Sequence, residues 1–117
     1  MKPQLASVPL CPFVQRPVIT LLEKKVDFEL TCIDLDDKPE WFTRLSPFGQ
    51  VPSLCVGETV VFECAVINEY LDETNPPSLH PPDPLRKGVN RARNEFGSSL
   101  LGDQYRLLTA PTAAEFQ

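Results

Sequence analysis

Four cysteines, Cys11, Cys32, Cys55 and Cys64, are the residues of this chain with the most chemical reach. They lie 21, 23 and 9 positions apart and form no C-x-x-C pair, so a zinc ribbon or knuckle is not expected. The only histidine, His80, sits in a proline-rich stretch. No metal is expected, and the thiols are read as reduced. Any special chemistry then belongs to one of the thiols.

Cys11 stands immediately before Pro12, at the head of an apolar pattern with helical period. A thiol there faces unpaired amides and the positive end of the helix dipole, and both favour thiolate. Arg16, one turn on, adds positive potential. The competing reading is a small buried thiol that caps the helix. Position alone leaves both open. Cys32 and Cys55 fall on apolar sides of strand patterns and are expected in the core. Cys64 opens a later helix, either as a second reactive thiol or in place of a hydroxyl that would cap or bind there. Glu63 beside it reads as an N-cap or a ligand contact.

The elements that must position these thiols follow from periodicity. "QLASV", Gln4 to Val8, is a weak strand. Val14, Val18, Leu21 and Leu22 recur at i, i+4, i+7 and i+8, one face of a helix. Pro12 suits its first turn, whereas Pro17 removes a hydrogen bond and should bend it. "VDFELTCIDL" alternates, with Val26, Phe28, Leu30 and Cys32 opposite Asp27, Glu29 and Thr31. That predicts a half-buried strand. "KPEWFTRLSPFG" predicts a short helix with Pro39 in its first turn and an end at Pro47 and Gly49. Trp41 and Phe42 are read as core, and Lys38 as a solvated lysine.

"VPSLCV", "GE" and "TVVF" read as a hairpin with Gly57 in the turn, and "ECAVINEYLDE" as a helix carrying Ala65, Val66, Ile67, Tyr70 and Leu71 toward one side. The order βαβαββα predicts an α/β fold, a mixed sheet with helices on its faces.

Residues 74–84 contain five prolines, the composition of a stiff connector. Beyond it, Leu85, Val89, Ala92, Phe96 and Leu100 form an apolar helical stripe, with Asp83 as N-cap and Pro84 at N1. Thr109 to Thr112 reads as the start of another helix. The expected organisation is one α/β domain over 1–74, a linker over 75–84, and an incomplete helical unit over 85–117. One amphipathic helix cannot bury its stripe alone, so it must pack on the first domain, on further chain or on another subunit.

The 117 residues carry a formal net charge of −5, which argues against non-specific binding of nucleic acid or anionic lipid. No apolar run is long enough to span a bilayer. The N-terminus has proline and polar residues where a signal peptide needs an apolar core. A cytoplasmic setting without membrane or nucleic-acid partners is expected.

Three motif segments and a linker with the helix after it, in order and suitably spaced across residues 4–102, resemble a known family. "CPFVQR" at 11–16 resembles the cysteine-type active-site start of omega-like glutathione transferases, and of glutaredoxins, which add a second cysteine. "LSPFGQVPSL" at 45–54 is similar to the segment that carries a cis-proline before the third strand. "FECAVINEYLDE" at 62–73 resembles the Glu-Ser-x-x-Ile-x-x-Tyr-Leu segment that binds the γ-glutamyl group of glutathione. "PPDPLRKGVNRAR" at 81–93 resembles the linker and first helix of the all-helical C-terminal domain. The resemblance implies a thioredoxin-like domain followed by the start of an all-α domain.

By that resemblance Cys11 is the catalytic thiolate that forms a mixed disulfide with glutathione, and Phe13 flanks the sulfur. Lys38 approaches the glycine carboxylate. Gln50 and Val51 line the cysteinyl unit, with Val51 pairing its backbone to it, and a cis Pro52 holds that backbone. Glu63 and Cys64 hold the γ-glutamyl end.

Two departures bear on this. Cys64 replaces the usual serine, and a thiol is the weaker hydrogen-bonding group. Val14 stands where a dithiol glutaredoxin has its resolving cysteine, so only monothiol chemistry is open. The implied activity is glutathione-dependent thiol transfer, with glutathione as substrate, a small-molecule or protein disulfide as second substrate, and a homodimer as the working form. The rival reading is a transferase-like scaffold for protein interaction without turnover.

Overall fold

The computed structural model describes residues 2–8, 11–46 and 49–110. The chain divides into two units, Met1–Leu79 and His80–Gln117. The first holds β1 (Gln4–Ser7), α1 (Pro12–Glu23), β2 (Glu29–Cys32), α2 (Glu40–Leu45), β3 (Ser53–Val56), β4 (Thr59–Phe62) and α3 (Cys64–Thr74), and the second holds α4 (Pro84–Thr109).

The sheet order is β2-β1-β3-β4. β1 pairs parallel with β2 and antiparallel with β3, and β3 pairs antiparallel with β4. The parallel pair needs a crossover, which α1 supplies. The antiparallel pair needs only a tight turn: Val56 pairs with Thr59, and Gly57 between them has φ 63°, the left-handed conformation a two-residue hairpin requires.

Register sorts the side chains into two layers. Leu30, Leu5, Leu54 and Val61 form one row across the sheet. On this face Leu5 and Leu54 join Val14 and Leu21 of α1 and Ile67 and Leu71 of α3 in one buried cluster. On the other face Ala6 and Ile33 pack with Phe42 of α2, and the Trp41 ring meets Phe42 edge-on, centroids 6.0 Å apart. Burial of each large aliphatic side chain contributes about 1.5–3 kcal/mol.

Several faces differ from the periodic reading. α1 runs through Pro17, which is itself buried, while Leu22 and Ile19 are each 64 % exposed. The buried face is Val14, Pro17, Leu21, with Thr20. Pro17 lacks an amide but brings an apolar ring to the core side. Cys32 is exposed rather than in the core, and Leu30 is 52 % exposed. Both lie on the helix face of β2, an edge strand, and the edge of that row is not covered. Val66 also points outward, 53 % exposed. Pro39 is the N-cap of α2, one position before its first turn. Pro47 lies outside the described residues.

α1 ends in a complete Schellman arrangement: Val26 N–H donates to Leu21 O (3.0 Å) and Lys25 N–H to Leu22 O (3.1 Å). Lys25 takes the left-handed position, φ 56°, that glycine usually fills. Val26 beyond it packs on the core cluster.

In the second unit Asp83 caps α4 by accepting from the Arg86 amide at 3.0 Å, with Pro84 in the first turn. No residue of α4 is buried; Leu85, Phe96 and Leu108 are each more than 70 % exposed. α4 continues to Thr109 with Ala110 as its C-cap, so Thr109 ends this helix rather than opening another. Pro111 and Thr112 lie outside the described residues. No described helix is long and apolar enough to cross a membrane.

Candidate glutathione site

Strand register brings the separate sequence segments to one end of the sheet. Ala6 pairs with Ser53, and Ser53 with Phe62. The chain leaving β1 toward Cys11, the chain entering β3 through Gln50, Val51 and Pro52, and the chain leaving β4 into Glu63 and Cys64 therefore share that end.

Cys11 is the N-cap of α1, half-buried, with extended backbone (φ −82°, ψ 115°). Its carbonyl accepts from the Val14 amide at 3.2 Å. Its side chain makes no capping hydrogen bond, which leaves the sulfur uncommitted to the helix it heads. Cys11 and Val51 pack against the same core cluster. Phe13, in the first turn, is half-buried.

The Val51-Pro52 peptide is cis, as the resemblance implied, and Pro52 is buried. The Ser53 hydroxyl donates to Gln50 O at 2.8 Å and closes the turn before β3. Gln50 is exposed. Gly49 has φ +60°, and a Cβ there would come within 2.6 Å of Lys38 Nζ. The exposed Lys38 therefore lies beside Gly49, just ahead of Gln50 and Val51 in the chain, and puts a cation there.

Glu63 precedes α3 with φ 71° and an exposed side chain that makes no capping bond. A left-handed non-glycine residue is uncommon and costs energy. Here it turns the chain sharply from β4 into α3 and presents the first-turn amides. Cys64 is buried, and Arg16 Nη1 reaches its sulfur at 3.3 Å. The arginine expected to raise potential near Cys11 thus also makes a contact at Cys64. Cys55 is in the core as expected, and burial pushes its thiol pKa up.

A second buried group escaped sequence reasoning. Lys24 Nζ lies 2.8 Å from Asp72 Oδ1, with side chains only 4 % and 10 % exposed. Lys24 also donates to Asn75 O (2.6 Å) and Pro77 O (2.8 Å). Asp72 accepts from the Ser78 hydroxyl and from the Leu79 amide at 2.7 Å. Burial alone would raise the Asp72 pKa; the hydrogen bonds from Lys24, Ser78 and Leu79, with the Lys24 charge, overcome it and hold the carboxyl at about 2. The first half of the proline-rich stretch is thereby tied down. Spacing could have found this: Arg16, Thr20 and Lys24 recur every fourth residue on α1, as Cys64, Asn68 and Asp72 do on α3. Among the described residues no cluster of metal-ligating side chains occurs.

Residues 10–74 match the family model "Glutathione S-transferase, N-terminal domain". The chain is 38 % identical over 104 residues to the pyrimidodiazepine synthase of Drosophila melanogaster, covering 85 % of this chain and 43 % of that protein. It is 36 % identical over 96 residues to glutathione S-transferase omega-1 of Sus scrofa, covering 80 % and 40 %. Glutathione transferase Omega 3C of Trametes versicolor shares the fold, with TM-score 0.83 at 22 % identity, over 100 % of this chain and 55 % of that one.

The fold is that of a thioredoxin-like domain followed by helical chain. The protein belongs to the glutathione S-transferase family, and it spans about two fifths of the length of the curated relatives it matches.

Proposed function

We propose that this chain binds glutathione and exchanges it through Cys11, as an omega-like monothiol transferase. The observation that carries the reading is the convergence, at one sheet end, of a helix-heading cysteine, a cis-proline turn and the amides that open α3. The Cys11 thiolate attacks one sulfur of a glutathione mixed disulfide. A new S–S bond forms to the glutathionyl sulfur, the old one breaks, and the other partner leaves as thiolate. Free glutathione then attacks the enzyme mixed disulfide, releases glutathione disulfide and restores Cys11.

The protein supplies position. Backbone N–H and C=O of Val51 are suited to pair with the cysteinyl unit as an added strand. Lys38 offers its cation to the glycine carboxylate, and the first-turn amides of α3 offer theirs to the γ-glutamyl carboxylate. Val14 cannot resolve the mixed disulfide, so a second glutathione must. Conjugation to electrophiles is disfavoured because the Cys11 thiolate competes with the glutathione sulfur it would have to activate.

Cys11→Ser tests the reading. Glutathionyl transfer from a mixed-disulfide substrate is expected to vanish. Full activity in that variant would refute the mechanism.

A further inference from the structure

The two reacting regions of the proposed site sit on separate helices that are fastened at both ends. α1 carries Cys11 at its N-terminus and α3 carries the γ-glutamyl amides at its own. Arg16 meets Cys64 near the N-terminal ends, and Lys24 meets Asp72 at the C-terminal ends, so the helices run parallel. The middle of the seam is apolar packing, with Val14 and Leu21 of α1 against Ile67 and Leu71 of α3. Thr20 donates its hydroxyl to Arg16 O at 3.3 Å within its own helix, and Asn68 Oδ1 is buried with no partner among the described residues. Apolar packing between α1 and α3 resists separation but tolerates sliding, because it has no direction. A buried ion pair fixes register instead.

We propose that Lys24 and Asp72 are positioning residues for glutathionyl transfer, setting the register of α1 on α3 and hence of Cys11 on the γ-glutamyl amides. The proposal rests on the glutathione reading above. The pair lies at the far ends of both helices from the chemistry, about 18 Å along α1 at 1.5 Å per residue. It touches neither the thiol nor the expected substrate. A displacement of about 1 Å at a reacting centre is enough to cost up to about a hundredfold in rate.

The test compares two reagents on Cys11. Glutathione disulfide needs both Cys11 and the α3 amides; iodoacetamide needs only the thiol. The full chain is made as wild type and as Lys24→Met/Asp72→Leu, which removes both charges together so that neither is left buried and unpaired. Modification of Cys11 is followed by peptide mass. The expected result is a folded double variant whose glutathione-disulfide rate falls about tenfold while its iodoacetamide rate stays within about twofold of wild type. Unchanged rates with both reagents would overturn the proposal, and so would equal changes in both, since these indicate an effect on the thiol itself. Should the double variant not fold, Asp72→Asn carries the same comparison. A wild-type chain that reacts no faster with glutathione disulfide than with hydroxyethyl disulfide would instead refute the glutathione reading, and the positioning role with it.

Discussion

Lys24 and Asp72 form a buried ion pair, 2.8 Å apart, that joins the C-terminal ends of α1 and α3 and holds the chain leaving α3 through Asn75, Pro77, Ser78 and Leu79. The Asp72 carboxyl, at about 2, lies below its ordinary 3.8. Its folded-state pKa is depressed, so its contribution is fully present above about pH 4 and lost as pH falls toward 2. A shift of that size corresponds to about 2 kcal/mol. Asp72→Asn is expected to remove this part of the acid dependence and to lower stability at neutral pH. Urea unfolding between pH 2 and 7 checks it; parallel pH curves for variant and wild type would contradict the assignment.

Cys64→Ser restores a hydroxyl at the start of α3. The thiol is the weaker hydrogen-bonding partner, and one neutral hydrogen bond is worth about 0.5–1.5 kcal/mol. Glutathione affinity is expected to rise about two- to tenfold. Titration calorimetry with reduced glutathione reads the change, and weaker binding would mean that the Arg16–Cys64 contact favours the site. No binding in either protein would point to the scaffold role.

The four thiols differ in access. Cys32 is exposed, Cys11 half-buried, and Cys55 and Cys64 buried. Brief alkylation of the native chain should modify Cys32 and Cys11 and spare Cys55, whose raised pKa also removes thiolate. Early labelling of Cys55, read by peptide mass, would contradict the placement of β3 in the core.

Lys25 holds a left-handed conformation at the end of α1 with φ 56°. A non-glycine residue there costs about 1–2 kcal/mol, partly offset by the greater backbone entropy glycine loses on folding. Lys25→Gly is expected to stabilise the fold by about 0.5–1 kcal/mol. The chemical-denaturation midpoint measures it, and a lower midpoint would overturn the prediction.

The order of elements, the hairpin at Gly57, the Asp83 cap and the three motif segments were legible in the sequence, because each is a local matter of period, turn chemistry or spacing. Apolar periodicity located α1 and α3 but misassigned Leu22, Leu30, Cys32 and Val66. Each stands at an apolar position of its element, and neighbours along the chain do not reveal where the cover from another element stops. Pro17 shows the converse: read from the sequence only as a bend in α1, it also puts its ring on the buried face.

What the sequence determined by itself was the candidate nucleophile, the Cys11 thiol before Pro12 with Val14 rather than a second cysteine three positions on. What only the tertiary structure decided was company. Arg16 and Cys64 are 48 positions apart, as are Lys24 and Asp72, and pairing across such a distance depends on how two helices lie on one face of a sheet. The sheet register likewise assembles Cys11, Val51 and Glu63 at one end. Those relationships arise from packing and burial, which are properties of the folded chain as a whole.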